Sequence, residues 1–157
     1  MAAGPQEGDR APDFKLETDT GETVSLSKQR GHPVVVYFYP KDDTPGCTKE
    51  AIGFTGELRK FEKSGVTVIG VSKDSCASHA KFREKYTLSH TLGADEDGTV
   101  CNAYGVWVEK NLYGKKSMGI ERVTFLIDGK GVVRHVWRRV SVDGHVEEVL
   151  AAARALN

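Results

Sequence analysis

The side chains in this sequence best suited to nucleophilic or redox chemistry are its three cysteines, Cys47, Cys76 and Cys101. Their odd number and wide spacing argue against a disulfide framework of the secreted kind and for thiols kept reduced in the cytoplasm. Cys47 has the most suggestive surroundings. It follows a β-branched and aromatic run, Pro33-Val34-Val35-Val36-Tyr37-Phe38-Tyr39, and opens a stretch from Thr48 to Lys63 in which Ile52, Phe54, Leu58 and Phe61 recur at helical spacing. It therefore belongs at the carboxyl edge of a strand and the start of a helix, where open α/β sheets take their ligands. Unpaired backbone N–H groups and the positive end of the helix dipole both favour a thiolate there. A free cysteine is also often a small buried hydrophobe, and position alone leaves both readings open.

The elements that must hold this residue can be read along the chain. Phe14-Lys15-Leu16 and Val24-Ser25-Leu26 flank Asp19-Thr20-Gly21-Glu22, a hairpin with a glycine turn. The run ending at Tyr39 reads as a strand buried on both faces, and Pro40 ends it. Val66 to Val71 is a second buried strand, and Asp74-Ser75 offers an N-cap for a helix through Tyr86 with Ala80, Phe82 and Tyr86 as inward candidates. Leu92-Gly93-Ala94 is a weaker strand. Val123 to Ile127 and Val132 to Trp137 enclose Asp128-Gly129-Lys130-Gly131, a second hairpin. A last helix from Asp143 to Ala155 carries Val146, Val149, Leu150 and Ala153 on one stripe. Strand–helix–strand crossovers of this length require parallel pairing with right-handed connections. The expectation is an α/β fold of the thioredoxin-like kind: a mixed β-sheet flanked by helices, with an N-terminal β-hairpin extension, forming a single domain over residues 1–157.

Composition narrows the function classes. Lysine plus arginine and aspartate plus glutamate both number 22, so the formal net charge is zero and no basic footprint for nucleic acid is present. The apolar run from Val34 to Tyr39 falls far short of the ~20 residues a membrane span needs. Met1-Ala2-Ala3-Gly4-Pro5 has neither a basic nor an apolar signal region. A cytoplasmic protein without nucleic-acid or membrane partners is expected.

The residues before Cys47 give its chemistry. Tyr39-Pro40-Lys41-Asp42-Asp43-Thr44-Pro45-Gly46-Cys47-Thr48-Lys49-Glu50 contains Pro40, Thr44 and Cys47 in the order P-x-x-x-T-x-x-C. This resembles the active-site motif of peroxiredoxins. Gly46-Cys47-Thr48-Lys49-Glu50, Gly70-Val71-Ser72-Lys73-Asp74-Ser75 and Tyr104-Gly105-Val106-Trp107 are similar to the bacterioferritin-comigratory (peroxiredoxin Q) subfamily, over nearly the whole chain from Ala11 onward.

The resemblance implies a peroxidase in which Cys47 attacks a hydroperoxide and becomes a sulfenic acid. It implies that Thr44 and the Cys47 N–H hold the peroxide and the sulfur, and that Pro40 shields them from water. The family's arginine fits Arg122, whose fixed charge would favour the thiolate and stabilise the developing anion. Glu50 reads as an organiser of the first helical turn. No metal or cofactor is implied; the partners are a hydroperoxide and a thiol reductant (thioredoxin, glutaredoxin or a small thiol), and the chain would be a monomer or weak homodimer.

One departure bears on recycling. Many subfamily members carry a resolving cysteine five residues after the first, where this chain has Ile52. Cys76, at the start of the next helix and the same sheet edge, is the candidate replacement; a one-cysteine cycle, in which an external thiol captures the sulfenic acid, stands beside it. Cys101, the second candidate, follows the third strand at a greater distance and reads more readily as a packed thiol in a short helix. Two other readings of the chain are a thiol–disulfide oxidoreductase, which would want C-x-x-C where position 50 is Glu, and a non-catalytic binding or chaperone module. Cys76-Ala77-Ser78-His79 lacks a partner pair for a metal site, and His79 reads as a solvated helix residue. Asp95-Glu96-Asp97-Gly98 reads as a turn, and Gly114-Lys115-Lys116-Ser117 lacks the leading glycine of a P-loop.

Overall fold

Every second residue of the strand before Cys47 faces a different hydrophobic cluster, and this divides the molecule into layers. The computed structural model describes residues 4–156; Met1 to Ala3, the start of the N-terminal segment considered above, and Asn157 lie outside it. In chain order the elements begin with β1 (Lys15–Thr18), β2 (Thr23–Ser25) and β3 (Val34–Phe38). They continue with α1 (Pro45–Lys63), β4 (Thr67–Ser72), α2 (Cys76–Tyr86), β5 (Thr91–Ala94) and α3 (Thr99–Ala103). The chain closes with β6 (Trp107–Leu112), β7 (Lys115–Ile120), β8 (Val123–Ile127), β9 (Val133–Trp137) and α4 (His145–Ala155).

Seven strands form one sheet in the order β2-β1-β5-β4-β3-β8-β9. β3, β4 and β5 run parallel, and β1, β8 and β9 join antiparallel on either side. Val34, Val36 and Phe38 of β3 pack in one cluster with Phe14, Val100, Tyr104 and Phe125. Val35 and Tyr37, with Tyr39 just beyond, pack in the other with Phe54 and Phe61 of α1, Phe82 of α2 and Val146 of α4. Both faces of the central strands are thus covered, which is why they read as continuous apolar runs rather than alternating ones. Tyr37 leans across Gly70, its register partner on β4; a Cβ there would lie 2.7 Å from the ring.

The structure corrects three parts of the sequence reading. Ile52 recurs with the apolar residues of α1 at helical spacing but is 46% exposed, because the buried stripe is Cys47, Glu50, Ala51, Phe54 and Phe61. On α2 the inward residues are His79 and Phe82, while Ala80 is exposed. A separate hairpin, β6–β7, went unread; Tyr113 and Gly114 at its tip both have positive φ, as a tight two-residue turn requires. Among the described residues no helix is long and apolar enough to cross a membrane.

Candidate active site

Cys47 is the third residue of α1 and is 1% exposed. Thr44 is the N-cap, Pro45 opens the helix, and the first intrahelical bond is Thr48 N–H to Thr44 O at 2.8 Å. Proline has no N–H, so the free donors of this first turn are the backbone amides of Gly46 and Cys47. They point out of the end where the helix dipole is positive.

Cys47 and Glu50 stand three residues apart, on one face of α1, and both turn inward. Arg122 meets them there. It immediately precedes β8, whose antiparallel pairing with β3 sets Val123 opposite Phe38, so the guanidinium arrives at the edge where α1 begins. Its Nη2 donates to Cys47 Sγ at 3.4 Å and its Nη1 to Glu50 Oε1 at 2.7 Å. Burial opposes the Arg122 charge, but Glu50 and Cys47 outweigh it and raise its affinity for the proton. Burial also pushes the Glu50 carboxyl up to about 7, with Arg122 pulling the other way. The second Glu50 oxygen has no hydrogen-bond partner and faces His145 Nε2 at 4.0 Å. The site therefore offers a sulfur, a fixed cation beside it, two free backbone donors and a carboxylate poised between charge states.

Thr44 is half-buried and its hydroxyl donates to Lys41 O at 2.8 Å, tying the turn before the helix. Pro40, also half-buried, ends the strand run as read and begins the loop that leads to Thr44. These residues were all legible as a motif. Two features were not: on the β6–β7 hairpin burial lowers the affinity of Lys110 for its proton, with the Arg122 charge acting in the same direction. The reading of His79 as solvated also fails; it is wholly buried and bonded to Asp42, within the Pro40–Thr44 loop.

All three cysteines are free thiols. Cys101 belongs to the cluster on the opposite face of the sheet from Cys47, and burial and Asp95 push its thiol well above the usual range. Cys76 lines a cleft of about 710 Å³ with Glu17, Asp95, Glu96 and Thr99. Burial and the charges of Glu17, Glu96 and Asp19 raise its thiol as well. Among the described residues that line this cleft, none belongs to α1.

The sequence matches the AhpC/TSA family over residues 7–136. A bcp protein of Coxiella burnetii is 57% identical over 143 residues, 91% of this chain and 95% of its own. Peroxiredoxin Bcp of Bacillus subtilis is 45% identical over 150 residues, 96% of each chain. Among solved structures, a Xanthomonas campestris bacterioferritin comigratory protein described for its alkyl peroxide reduction activity superposes with a TM-score of 0.87. It is 44% identical, over 91% of each chain. The thioredoxin-like mixed sheet expected from the strand order is the one these relatives share.

Proposed function

The chain belongs to the AhpC/TSA family, a thiol-dependent peroxidase by its peroxiredoxin relatives, and from that premise we propose that Cys47 is its peroxidatic nucleophile. The observation that carries this assignment is the Arg122 guanidinium at 3.4 Å from the Cys47 sulfur, at the end of α1 whose free N–H groups face the same way. A thiolate needs such a cation to persist, and a leaving oxygen needs donors where its charge grows.

In this reading the Cys47 thiolate attacks the terminal oxygen of a hydroperoxide. The S–O bond forms as the O–O bond breaks, sulfur is oxidised, and the departing alkoxide or hydroxide takes a proton to leave as alcohol or water. Arg122 and the amides of Gly46 and Cys47 stabilise the negative oxygen. The Thr44 hydroxyl has its own hydrogen on Lys41 O, so what it presents to a peroxide O–H is a lone pair. Pro40 excludes water, and Glu50 holds the second arm of Arg122.

Cys47 leaves this step as a sulfenic acid. A thiol then attacks the sulfur, releasing water and leaving a mixed disulfide, and a second thiol reduces that to regenerate Cys47. The first of these thiols is external (thioredoxin, glutaredoxin or a small thiol), since Cys101 packs on the other face and Cys76 lines a cleft of its own. The test is peroxide consumption with dithiothreitol as reductant. Cys47→Ser is expected to abolish it, and a variant as fast as the parent overturns the assignment. Mass spectrometry after one equivalent of peroxide, without reductant, addresses recycling: sulfenic acid on Cys47 is expected, and a Cys47–Cys76 disulfide refutes the external-thiol cycle.

A further inference from the structure

Glu50 gives one carboxyl oxygen to Arg122, and the group that faces its other oxygen comes from α4. The two helices meet closely at Gly53, where a Cβ would lie 2.9 Å from Val146 Cγ2. Gly53 is about one turn beyond Glu50, and Val146 follows His145, so the same close approach sets His145 against Glu50. His145 is 4% exposed and is held on three sides. Its Nε2 lies 2.8 Å from the Thr124 hydroxyl on β8, two residues after Arg122. The ring stands nearly perpendicular to Phe54 of α1 at 6.4 Å and to Trp137 of β9 at 5.9 Å. Trp137 is itself fixed, its Nε1 donating to Glu148 Oε1 at 2.9 Å.

Glu50 is wholly buried, and its Oε2, without a hydrogen-bond partner, lies 4.0 Å from His145 Nε2. A shift of about 1 Å makes a hydrogen bond there. A buried carboxyl oxygen needs a donor when the group is ionised and an acceptor when it carries the proton. A neutral imidazole can be either, because its single proton sits on Nδ1 or on Nε2. The Thr124 hydroxyl suits both forms, since it accepts as well as donates. With Glu50 ionised, Nε2 carries the ring proton and two acceptors face it, Thr124 Oγ1 and Glu50 Oε2. With Glu50 neutral, the carboxyl proton belongs on Oε2, because Oε1 accepts from Arg122, and a bare Nε2 faces it. The pair takes up one proton in all: Glu50 gains it, and the ring's own proton moves from Nε2 to Nδ1.

We infer that His145 is a positioning residue for the thiol site: by exchanging tautomers it satisfies the free oxygen of Glu50 in both charge states, which keeps Oε1 on Arg122 and Arg122 on the Cys47 sulfur. The inference rests on Cys47 being the peroxidatic thiol. His145 acts through Glu50, whose Oε1 fixes one arm of the guanidinium while the other donates to Cys47 Sγ at 3.4 Å. A carboxyl group free to rotate in search of a partner for Oε2 would loosen that fork. The imidazole removes the need to rotate, and it does so without bringing a second charge into the site.

The charges around the pair fit this role. Cys47 and Glu50 face it from α1, Arg122 from the start of β8, Glu147 and Glu148 from α4, and the Tyr37 hydroxyl from β3. Lys49 of α1 and Asp143, ahead of α4, pair at the surface of the same helix contact. Burial and the Arg122 charge lower the affinity of His145 for a second proton, and they outweigh Glu147 and Glu148. The ring is therefore neutral where Glu50, lifted by burial to about 7, changes charge.

The test is the pH profile of Cys47 oxidation by hydrogen peroxide, followed by rapid mixing in the full-length protein. His145→Leu keeps much of the ring's volume and offers neither donor nor acceptor. It is expected to slow oxidation about tenfold, because small misplacements at a reacting centre are costly. It should also move the inflection that Glu50 contributes upward by about one pH unit, since the ionised form loses the more from a missing partner. In a Glu50→Gln background the same change should cost less than about twofold, as expected when two residues act as one unit. His145→Gln, whose amide supplies both a donor and an acceptor, should keep the parental inflection; a merely structural role would leave the inflection in place in both variants. Should His145→Leu fail to fold, nitrogen-15 NMR of the His145 ring in the parent protein answers the same question. The ring proton is expected to pass from Nδ1 to Nε2 between about pH 6 and about pH 8, around the Glu50 value of about 7, and not to do so in Glu50→Gln. The inference is overturned if the profiles of the parent and His145→Leu coincide, or if the ring signals are flat across that range. Failure of Cys47→Ser to abolish turnover would instead overturn the nucleophile assignment.

Discussion

Gly46 and Arg122 are in close contact: a Cβ added to Gly46 would sit 3.0 Å from Arg122 Nη2, the nitrogen that donates to the Cys47 sulfur. Gly46 lies in the first turn of α1 and is not among the positive-φ glycines, so alanine is allowed there by the backbone. The guanidinium cannot simply swing aside, because its Nη1 is held by Glu50. Gly46→Ala should therefore displace the cation from the sulfur while leaving the helix intact. The expected result is a fall of about tenfold or more in the rate constant for peroxide, as small misplacements at a reacting centre produce, with the melting temperature little changed. An unaltered rate constant would mean that the contact has no part in the chemistry.

Arg122 serves two acceptors with one planar fork, which a lysine cannot do. Arg122→Gln should lower kcat/KM for peroxide by about 10²- to 10³-fold, the usual loss when a donor to a developing oxyanion is removed. Arg122→Lys should recover only part of that, since an ammonium near the sulfur cannot also satisfy Glu50. Full recovery by lysine would show that charge alone suffices and that the fork geometry is irrelevant.

Glu50 changes charge in the neutral range. Burial lifts its carboxyl to about 7 against the pull of Arg122, so between the carboxylate range and pH 7 the folded protein holds a proton that the unfolded chain releases. The ionised form adds a negative charge beside Cys47 and also tightens the grip on Arg122. The pH profile of Cys47 oxidation should accordingly contain an inflection near pH 7 that is missing in Glu50→Gln. An identical inflection in both proteins would assign it to another group.

The order of the main elements along the chain and the motif around Cys47 were readable because they rest on local signals. Continuous β-branched runs, crossover lengths and the P-x-x-x-T-x-x-C spacing all lie within short windows, and β3, α1 and β4 form where those windows place them. What was missed depends on long-range packing. His79, Phe82 and Tyr86 share a helical face by spacing, yet histidine is usually exposed, and nothing nearby in sequence reveals that Asp42, 37 residues earlier, would be buried against it. The β6–β7 hairpin was missed for the opposite reason. Its strands carry exposed side chains such as Leu112 and Met118 among lysines, so they lack the apolar alternation that marks a strand, and only the turn at Tyr113-Gly114 identifies them.

Another buried histidine should make the fold sensitive to acid. His90 lies between the Tyr37 hydroxyl at 2.6 Å and Thr55 Oγ1 at 3.0 Å, beneath the Tyr37–Phe54 stack. Burial, with a smaller contribution from the Arg83 charge, lowers its affinity for a proton to about 3. The neutral ring therefore contributes stability that is present above the unfolded value of about 6.5 and is lost as pH falls toward the folded one. At pH 5 the loss from this group approaches about 2 kcal/mol, since each unit between the two values is worth about 1.4 kcal/mol. His145, whose affinity for a proton is also lowered by burial, acts in the same direction, so removing one histidine should reduce the acid slope without abolishing it. His90→Gln is expected to be less stable than the parent near pH 7, where two hydrogen bonds are disturbed. Its denaturant midpoint should nevertheless fall less steeply between about pH 6.5 and pH 4, the window in which the unfolded parent takes up the extra proton. Parallel curves for the two proteins over that window would remove His90 as a source of acid lability and assign it to the carboxylates.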